Sequence, residues 1–485
     1  MKVTPAREWP FLWAARGWII RCAPRTRPCF FLFLPHRLAP KGAVDMNDIL
    51  SGLSRLLWGW GTITLVLGSG AFLMLRTRFL PLRRLPEAVR MALSPAAREK
   101  KGGVSPFAAL MTALSATIGT GNIVGVATAL VSGGVGALVW MELAAVLGLA
   151  AKFAECLLSV KYRRRDEEGR WIGGPMYVME EKLGLPGRPL GILFSLAAVL
   201  VALSMGSMAQ SNAISSALWE TFSLPTRTVG CITAVVVLWI ISGGIRSISR
   251  LSAVLVPVMA AGYVAACLIV VAVHMDALPG ALADMLRCAL SPAAFAGGMA
   301  GTAFRYGVSR GVLTHEAGLG SAAITAACSD DGDPLRQGYI AMTAVAFDTF
   351  LICTVTGLAI CCSGALGTVD SADQPLTGAA LTLAAFETVF GQKGTVLLSI
   401  SIVLFAFSSI LGWAYQGEVA FRFLCGRRLV PLFRLLMAAA ALYGAAAELE
   451  AVFAIADICN ALMCYPNLMA TLLLSGVVAK EVQKR

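Results

Sequence analysis

The chain has 485 residues, of which 57% are hydrophobic and 14% charged, with a mean hydropathy of +0.74. Soluble domains average about 45–50% apolar and about 25% charged residues, so this composition excludes an ordinary soluble protein. The net charge of +12 does not indicate a nucleic-acid partner, because the basic residues lie in an N-terminal extension and in short loops between apolar runs.

The N-terminal extension differs from the rest of the chain. Residues 1–45 are rich in Arg, Pro and Trp, and basic residues interrupt their short apolar stretches, which is not the pattern of a signal peptide. We expect this segment to be poorly ordered, or else spurious, with translation beginning at Met46. Residues 46–106 are then expected to hold the first transmembrane helix and a basic cytoplasmic loop.

The remaining chain contains apolar runs of about 20 residues, the length that crosses about 30 Å of hydrocarbon as a helix. Backbone polar groups must be satisfied internally in lipid, so each run is expected to be helical. We therefore predict an all-α polytopic membrane protein. Its eleven transmembrane helices are predicted at 54–75, 107–131, 134–159, 190–219, 227–242, 251–274, 295–328, 338–363, 394–421, 429–446 and 450–478.

The distribution of Lys and Arg predicts the orientation. The loops after spans one, three, five and nine, together with the tail at 479–485, carry most of these residues, and the opposite loops are poor in them. Basic loops remain in the cytoplasm under the positive-inside rule. We expect a multi-pass protein of the inner membrane, with its N-terminus outside and its C-terminus in the cytoplasm.

Two glycine-rich segments interrupt predicted spans, at 115–125 and at 310–321. Each lies in the first helix of a five-span block, 107–274 or 295–478. Because five is odd, the second block enters the membrane from the opposite side, which predicts an inverted repeat with two discontinuous helices after one preceding helix. The alternative is that these glycines only allow close packing of helices.

A broken membrane helix has binding groups that an intact helix lacks. Its free N–H groups form a positive dipole end that suits a carboxylate, and its free carbonyl groups suit a hard cation such as Na⁺. One break is therefore able to bind an amino acid beside a coupling ion. This chemistry predicts a secondary transporter, which needs no catalytic nucleophile and is not an enzyme.

Several motifs, in order, resemble the alanine or glycine:cation symporter family. They are Thr120-Gly-Asn122, Gly133-Gly134, Ala150-Ala-Lys-Phe-Ala-Glu155, Gly173-Gly-Pro-Met-Tyr177, the segment 310–321, Arg336-Gln-Gly338, and the segment 405–418. The resemblance extends from about Leu53 to the C-terminus. It implies a leucine-transporter-type fold, with one helix before ten core helices, and import of alanine or glycine with Na⁺.

The resemblance also implies the site residues. The Na⁺ site would comprise Ser115, Ile118, Ser408 and Ser409, the first two through nearby carbonyl groups. The substrate site would comprise Gly119, Thr120, Gly121, Asn122, Gln210, Ser409 and Trp413. In this arrangement the amides of Thr120 and Gly121 receive the carboxylate, Gln210 donates a hydrogen bond, and Trp413 caps a small pocket.

Each of these side chains has a structural alternative. Serine in a membrane helix often bonds a carbonyl of its own helix, and Trp413 is explained equally by packing or an interfacial position. Lys152 and Glu155 have the i, i+3 spacing of a helical pair. Asp348, the lone acid of its span, is expected to form a buried polar tie.

Three other functions remain open from the residues: a proton-coupled amino-acid transporter, a ligand-gated channel and an intramembrane enzyme. An enzyme would need paired catalytic or metal-binding side chains at membrane depth, and the three histidines are poorly placed for that. The cysteines show no metal-ligand spacing, and no organic cofactor is predicted. The expected partners are a small neutral amino acid, Na⁺ and the lipid bilayer, with the protein a monomer or a weak homo-oligomer.

Overall fold

The computed structural model describes residues 46–99, 103–290, 300–370, 373–447 and 449–484. This part of the chain is almost entirely helical. The expectation for residues 1–45 falls outside the described residues.

The first half of the described chain contains fourteen α-helices and one hairpin. The helices are α1 (Met46–Leu57), α2 (Trp60–Arg76), α3 (Leu80–Arg83), α4 (Leu85–Leu93), α5 (Pro95–Arg98), α6 (Pro106–Thr117), α7 (Val124–Gly133), α8 (Gly136–Lys161), α9 (Pro175–Lys182), α10 (Gly187–Leu203), α11 (Ala209–Phe222), α12 (Thr226–Ser242), α13 (Gly244–Val273) and α14 (Leu278–Leu290). The antiparallel strands β1 (Arg164–Arg165) and β2 (Trp171–Ile172) lie between α8 and α9.

The second half of the described chain continues with nine helices. They are α15 (Ala300–His315), α16 (Ser321–Ala327), α17 (Pro334–Val345), α18 (Thr354–Cys362), α19 (Gly378–Phe390), α20 (Gln392–Cys425), α21 (Val430–Gly444), α22 (Glu450–Leu473) and α23 (Ser475–Gln483). Short 3₁₀ turns occur at Thr120–Asn122, Met275–Ala277 and Arg427–Leu429.

The lengths of these helices support a polytopic membrane protein. Within the described residues, seven helices are long and apolar enough to cross a membrane, and a bent pair, Pro106–Thr117 with Thr120–Gly133, forms an eighth candidate. The predicted spans at 227–242 and 429–446 correspond to the shorter helices α12 and α21, and the span at 295–328 is interrupted. The predicted number of eleven spans therefore stays a prediction.

Two of the long helices contain π-helical turns. Ser204–Met208 joins α10 to α11, and Ala346–Cys353 joins α17 to α18. A π-helical turn inserts an extra residue into the helical ladder, which leaves backbone groups displaced, and such turns are frequent at functional sites. Both segments contact the first glycine-rich break, as described below.

Six of the described helices were absent from the sequence-based prediction. The regions between predicted spans contain α3, α4, α5, α9, α14 and α19. The last predicted span, 450–478, ends earlier, because α22 stops at Leu473 and a separate helix begins at Ser475. These helices are too short, or too polar, to match the length of a membrane span.

Helix α8 is the central helix of the packing, in contact with α2, α15 and α17. Most of its residues are buried, as expected of a helix surrounded by others. Glycines allow the closest approaches: a Cβ atom on Gly307 of α15 would collide with the carbonyl oxygen of Ala137 in α8. Small residues at such contacts are typical of membrane helix packing.

The hairpin between α8 and α9 is linked to α20 by one buried carboxylate. Asp166 accepts hydrogen bonds from Arg170 Nε at 3.0 Å and from Arg422 at 2.9 Å. Burial alone would raise the pKa of Asp166, but the hydrogen bonds from the Arg170 backbone and from both guanidinium groups lower that pKa below its ordinary value. This ion pair network fixes the hairpin against the end of α20.

Candidate functional site

The predicted break in the first glycine-rich segment is confirmed. Helix α6 ends at Thr117, a 3₁₀ turn follows at Thr120–Asn122, and α7 begins at Val124. The two halves are bent by 60°. The break is held between the middle of α20, the π-helical turn before α11, and the π-helical turn before α18.

The break redirects the hydrogen bonds at the end of α6. Gly119 N donates to Asn122 Oδ1 at 3.1 Å, whereas in a continuous helix it would donate to the carbonyl of Ser115. Ser409 Oγ, from α20, donates to the carbonyl oxygen of Ala116 at 2.8 Å. Carbonyl groups at this end of α6 are therefore available to ligands other than the helix itself.

Four of the predicted substrate residues meet at Gly119. A Cβ atom on Gly119 would lie 2.8 Å from Ser409 Oγ and 3.7 Å from Gln210 Oε1. Thr120 Oγ1 donates to Gln210 Oε1 at 3.3 Å, and Gln210 Nε2 donates to the carbonyl of Met205 at 3.3 Å. Gln210 thus connects the break to a π-helical turn, and its buried amide has partners on both sides.

The predicted cation residues flank the same point on α6 and α20. The hydroxyl of Ser115 donates to Thr112 O at 2.8 Å, and that of Ser408 donates to Phe405 O at 2.9 Å, so both bond their own helix. A hydroxyl that donates its hydrogen keeps lone pairs for a cation. Gly412 allows α20 to approach α6 closely here, since a Cβ atom added at this position would lie 2.7 Å from Ser115 Oγ. Ile118 is completely buried.

Trp413 packs against the π-helical turn before α11. It is buried, and a Cβ atom on Gly206 would lie 2.5 Å from Trp413 Cβ and 2.7 Å from its Cγ. The glycine at position 206 therefore allows the indole to approach the backbone one turn from Gln210. Gly206 and Gln210 are four residues apart, and both residues lie next to α20.

Gly206→Ala is expected to destabilise the protein by about 1–3 kcal/mol, because overpacking at a helix contact forces the backbones apart. Thermal unfolding of the detergent-solubilised protein measures the effect. Gly262→Ala is the matched control: it lies in α13 with no atom within 4 Å of the new methyl group, so its unfolding temperature should stay equal or rise. Equal unfolding temperatures for the two variants would show that the contact with Trp413 is loose.

Asn122 connects the break to the π-helical turn before α18. Its Nδ2 donates to Asp348 Oδ1 at 2.7 Å, and Thr349 Oγ1 donates to Asp348 Oδ2 at 3.1 Å. Asn122, Asp348 and Thr349 are fully buried. Asp348 is thus the polar tie expected from the sequence, but its partner in the break was not predicted.

The second glycine-rich segment is also broken, between His315 and Ser321. Glu316, Gly318 and Gly320 adopt positive φ angles of 53°, 85° and 82°, which no helix permits. Ser321 Oγ donates to Glu316 Oε2 at 2.5 Å across the break.

The two breaks adjoin each other. A Cβ atom on Gly121 would lie 3.4 Å from Thr314 Cγ2, at the end of α15. Gly121 is partly exposed and Thr314 is buried, so this contact lies at the edge of the packed interior. Two interrupted helices therefore present backbone groups to one region of the molecule.

Lys152 and Glu155, whose spacing allows a helical pair, form no hydrogen bond with each other in the described residues. Glu155 Oε2 instead accepts a hydrogen bond from Asn467 Nδ2 at 2.7 Å, and the same nitrogen donates to Gly318 O at 2.9 Å in the second break. Lys152 is fully buried, and its Nζ has no hydrogen-bond partner among the described residues. Asn467, from α22, thus satisfies one oxygen of Glu155 and an exposed carbonyl of the break, and Glu155 Oε1 has no hydrogen-bond partner among the described residues.

Sequence comparison assigns the family. Residues 43–484 match the profile of the sodium:alanine symporter family. The chain belongs to this family. The resemblance inferred from the motifs is therefore confirmed, and membership of the family makes the protein a transporter and not an enzyme.

Two curated relatives illustrate the range of the family. The sodium/alanine symporter AgcS of Methanococcus maripaludis is 40% identical over 445 residues, covering 91% of this chain and 97% of the relative. The probable sodium/glutamine symporter GlnT of Bacillus subtilis is 38% identical over 437 residues, covering 89% of each chain.

One solved structure supports the fold of this family member. The crystal structure of MhsT in complex with L-phenylalanine matches with a TM-score of 0.56 at 16% identity, covering 78% of this chain and 90% of that chain. Identity this low supports similarity of fold alone. The match agrees with the expected leucine-transporter-type arrangement of helices.

Proposed function

We propose that the protein is a sodium-coupled symporter that imports a small neutral amino acid, alanine or glycine, by alternating access. The observation that carries this proposal is that three groups meet at Gly119. They are the end of α6, where Gly119 N no longer bonds the carbonyl of Ser115, the hydroxyl of Ser409 and the amide of Gln210. Such a set binds a cation and a zwitterion side by side. The relative AgcS, a sodium/alanine symporter by name, supports the same substrate and ion.

The substrate carboxylate is proposed to bind the amides of Thr120 and Gly121, where the positive end of α7 begins. Gln210 then hydrogen-bonds the substrate from the side, and Gly119 and Asn122 shape the turn. Trp413 limits the volume available to the substrate side chain. Glutamine, named for the relative GlnT, is a larger alternative that this wall is expected to disfavour.

Sodium is proposed to bind between α6 and α20. Its ligands are the carbonyl oxygens near Ser115 and Ile118, and the hydroxyl oxygens of Ser408 and Ser409. Oxygen donors of this kind suit a hard cation. Ser409 then lies between the ion and the amino acid, so that each ligand favours binding of the other.

The topology remains part of the proposal. Eleven spans, with one helix before an inverted repeat at 107–274 and 295–478, account for two breaks that adjoin each other. The Lys and Arg distribution supports an N-terminus outside and a C-terminus in the cytoplasm of the inner membrane. The protein is proposed to act as a monomer or a weak homo-oligomer.

Proton coupling is the second candidate, because a buried carboxylate, Asp348, is hydrogen-bonded to Asn122 of the break. Binding of radiolabelled alanine to the purified protein distinguishes the two ions. Sodium coupling predicts binding in NaCl that is lost in choline chloride at constant pH. Glycine, serine, D-alanine and glutamine serve as competitors to rank the substrates. Binding that follows pH but ignores Na⁺ would favour the proton.

A further inference from the structure

A large groove lies along α6, on a different face from the one that contacts α20. It has a volume of about 980 Å³ and lies between α6, α13 and the π-helical turn Ala346–Cys353. It is lined by Phe107, Met111 and Leu114 of α6 and by Ile118, the residue that follows α6, and these four recur at helical spacing and so form one face. Ser115, by contrast, contacts α20.

One end of the groove is basic. Arg98, which precedes α6, and Arg246 and Arg250, in the first two turns of α13, all line it, and all three are exposed. The guanidinium carbon of Arg98 lies 4.9 Å from the centre of the Phe107 ring, which positions its charge over the mouth of the groove. Among the described lining residues there is no Asp or Glu.

The rest of the groove is apolar and open to the outside of the helical bundle. Val254 and Val258 of α13 line it and are each 65% exposed, while Ala260 and Ala261 leave space because their side chains are small. Fourteen residues separate Arg250 from Val264, which at 1.5 Å per residue makes the groove about 21 Å long. One leaflet of a bilayer of about 40–45 Å, headgroups included, has this depth.

We infer that this groove binds one anionic phospholipid. The lipid phosphate and its negatively charged headgroup contact Arg98, Arg246 and Arg250, since guanidinium groups form paired, charge-assisted hydrogen bonds with phosphate. The acyl chains lie along α6 and α13 toward Val264. With the orientation proposed above, the lipid belongs to the cytoplasmic leaflet. The three arginines lie apart from the proposed amino-acid site, while Ile118 lines the groove and also borders the proposed Na⁺ site. Lipid binding does not depend on which substrate is transported.

The charge of the lining selects this occupant over others. A wholly apolar ligand would place no anionic group beside Arg98 and Arg250, and a zwitterionic lipid would bring a cation next to them. Basic pockets beside membrane helices on the cytoplasmic side are suited to anionic headgroups. The matched length of the apolar part favours a lipid over a soluble phosphate compound.

Native mass spectrometry of the full-length protein tests the inference. The protein is released from detergent after incubation with phosphatidylglycerol or phosphatidylcholine that carry identical acyl chains. We expect one phosphatidylglycerol to stay bound, with at least about tenfold preference over phosphatidylcholine. A tenfold preference corresponds to one charge-assisted contact that phosphatidylglycerol makes and phosphatidylcholine lacks. Equal retention of the two lipids by the wild-type protein would overturn the inference, without bearing on the proposed transport function.

Variants then locate the bound lipid. The double variant Arg98→Gln and Arg250→Gln is expected to lose the preference, whereas Arg188→Gln, which alters an arginine whose side chain is 75% exposed at the start of α10, keeps it. Ala260→Phe fills the groove and leaves the arginines intact, so it should also reduce retention. Unchanged retention in either groove variant would contradict the site, provided that size-exclusion chromatography shows a monodisperse protein.

Discussion

Asn122→Asp is expected to reduce alanine uptake by about tenfold or more, because the new carboxylate faces Asp348 at a distance of 2.7 Å and has no hydrogen to donate. The acceptor for Gly119 N is retained, so the variant isolates the contact with Asp348. Uptake of radiolabelled alanine into proteoliposomes, near neutral pH, measures the effect.

Adding Asp348→Asn is expected to restore the uptake that Asn122→Asp loses. The double variant places the amide on the π-helical turn and the carboxylate in the break, so the same hydrogen bond forms with donor and acceptor exchanged. Asp348→Asn alone should have a smaller effect, since an asparagine there is able to offer its oxygen to Asn122. A double variant as inactive as Asn122→Asp would show that this contact does not hold the break.

Gln210→Ala is expected to weaken alanine binding by about tenfold or more, since it removes the amide proposed to contact the substrate and leaves the Thr120 hydroxyl without its acceptor. Equilibrium binding of radiolabelled alanine to the purified protein gives the dissociation constant. Gln374→Ala makes the same chemical change at an exposed position and should leave the dissociation constant unchanged.

Thr120→Val separates the two effects of Gln210. It keeps the shape of the side chain but removes the hydrogen bond to Gln210 Oε1. If Gln210 contacts the amino acid, Gln210→Ala weakens binding more than Thr120→Val does. Equal losses of binding affinity would mean that Gln210 acts only by positioning the break. Gln210 would then no longer count as a substrate contact.

The positions of both breaks were predictable from the sequence. Glycine clusters inside apolar runs are costly in helices, and irregular backbone at membrane depth requires a protein-lined surrounding. The segments 115–125 and 310–321 satisfy both conditions, and the helices end within them, at Thr117 and His315. The resemblance to the family added side chains such as Gln210, which no local pattern identifies.

The cross-chain contacts were not predictable in the same way. Asn122 and Asp348 are 226 residues apart. Helical periodicity predicts the side of the helix on which each residue lies, but not the residue of another helix that it contacts. Spacing allowed Lys152 to meet Glu155, yet Asn467 binds this carboxylate instead. Helix α19 was missed because thirteen residues are too few for a span, although its Thr382 Oγ1 reaches Ile123 O at 3.4 Å beside the first break.

Alanine uptake into proteoliposomes under an imposed inward Na⁺ gradient tests the central proposal most directly. The account predicts transient accumulation above the external concentration, which disappears when choline replaces Na⁺ and persists when an ionophore abolishes any pH gradient. Accumulation that requires the pH gradient and is indifferent to Na⁺ would contradict it.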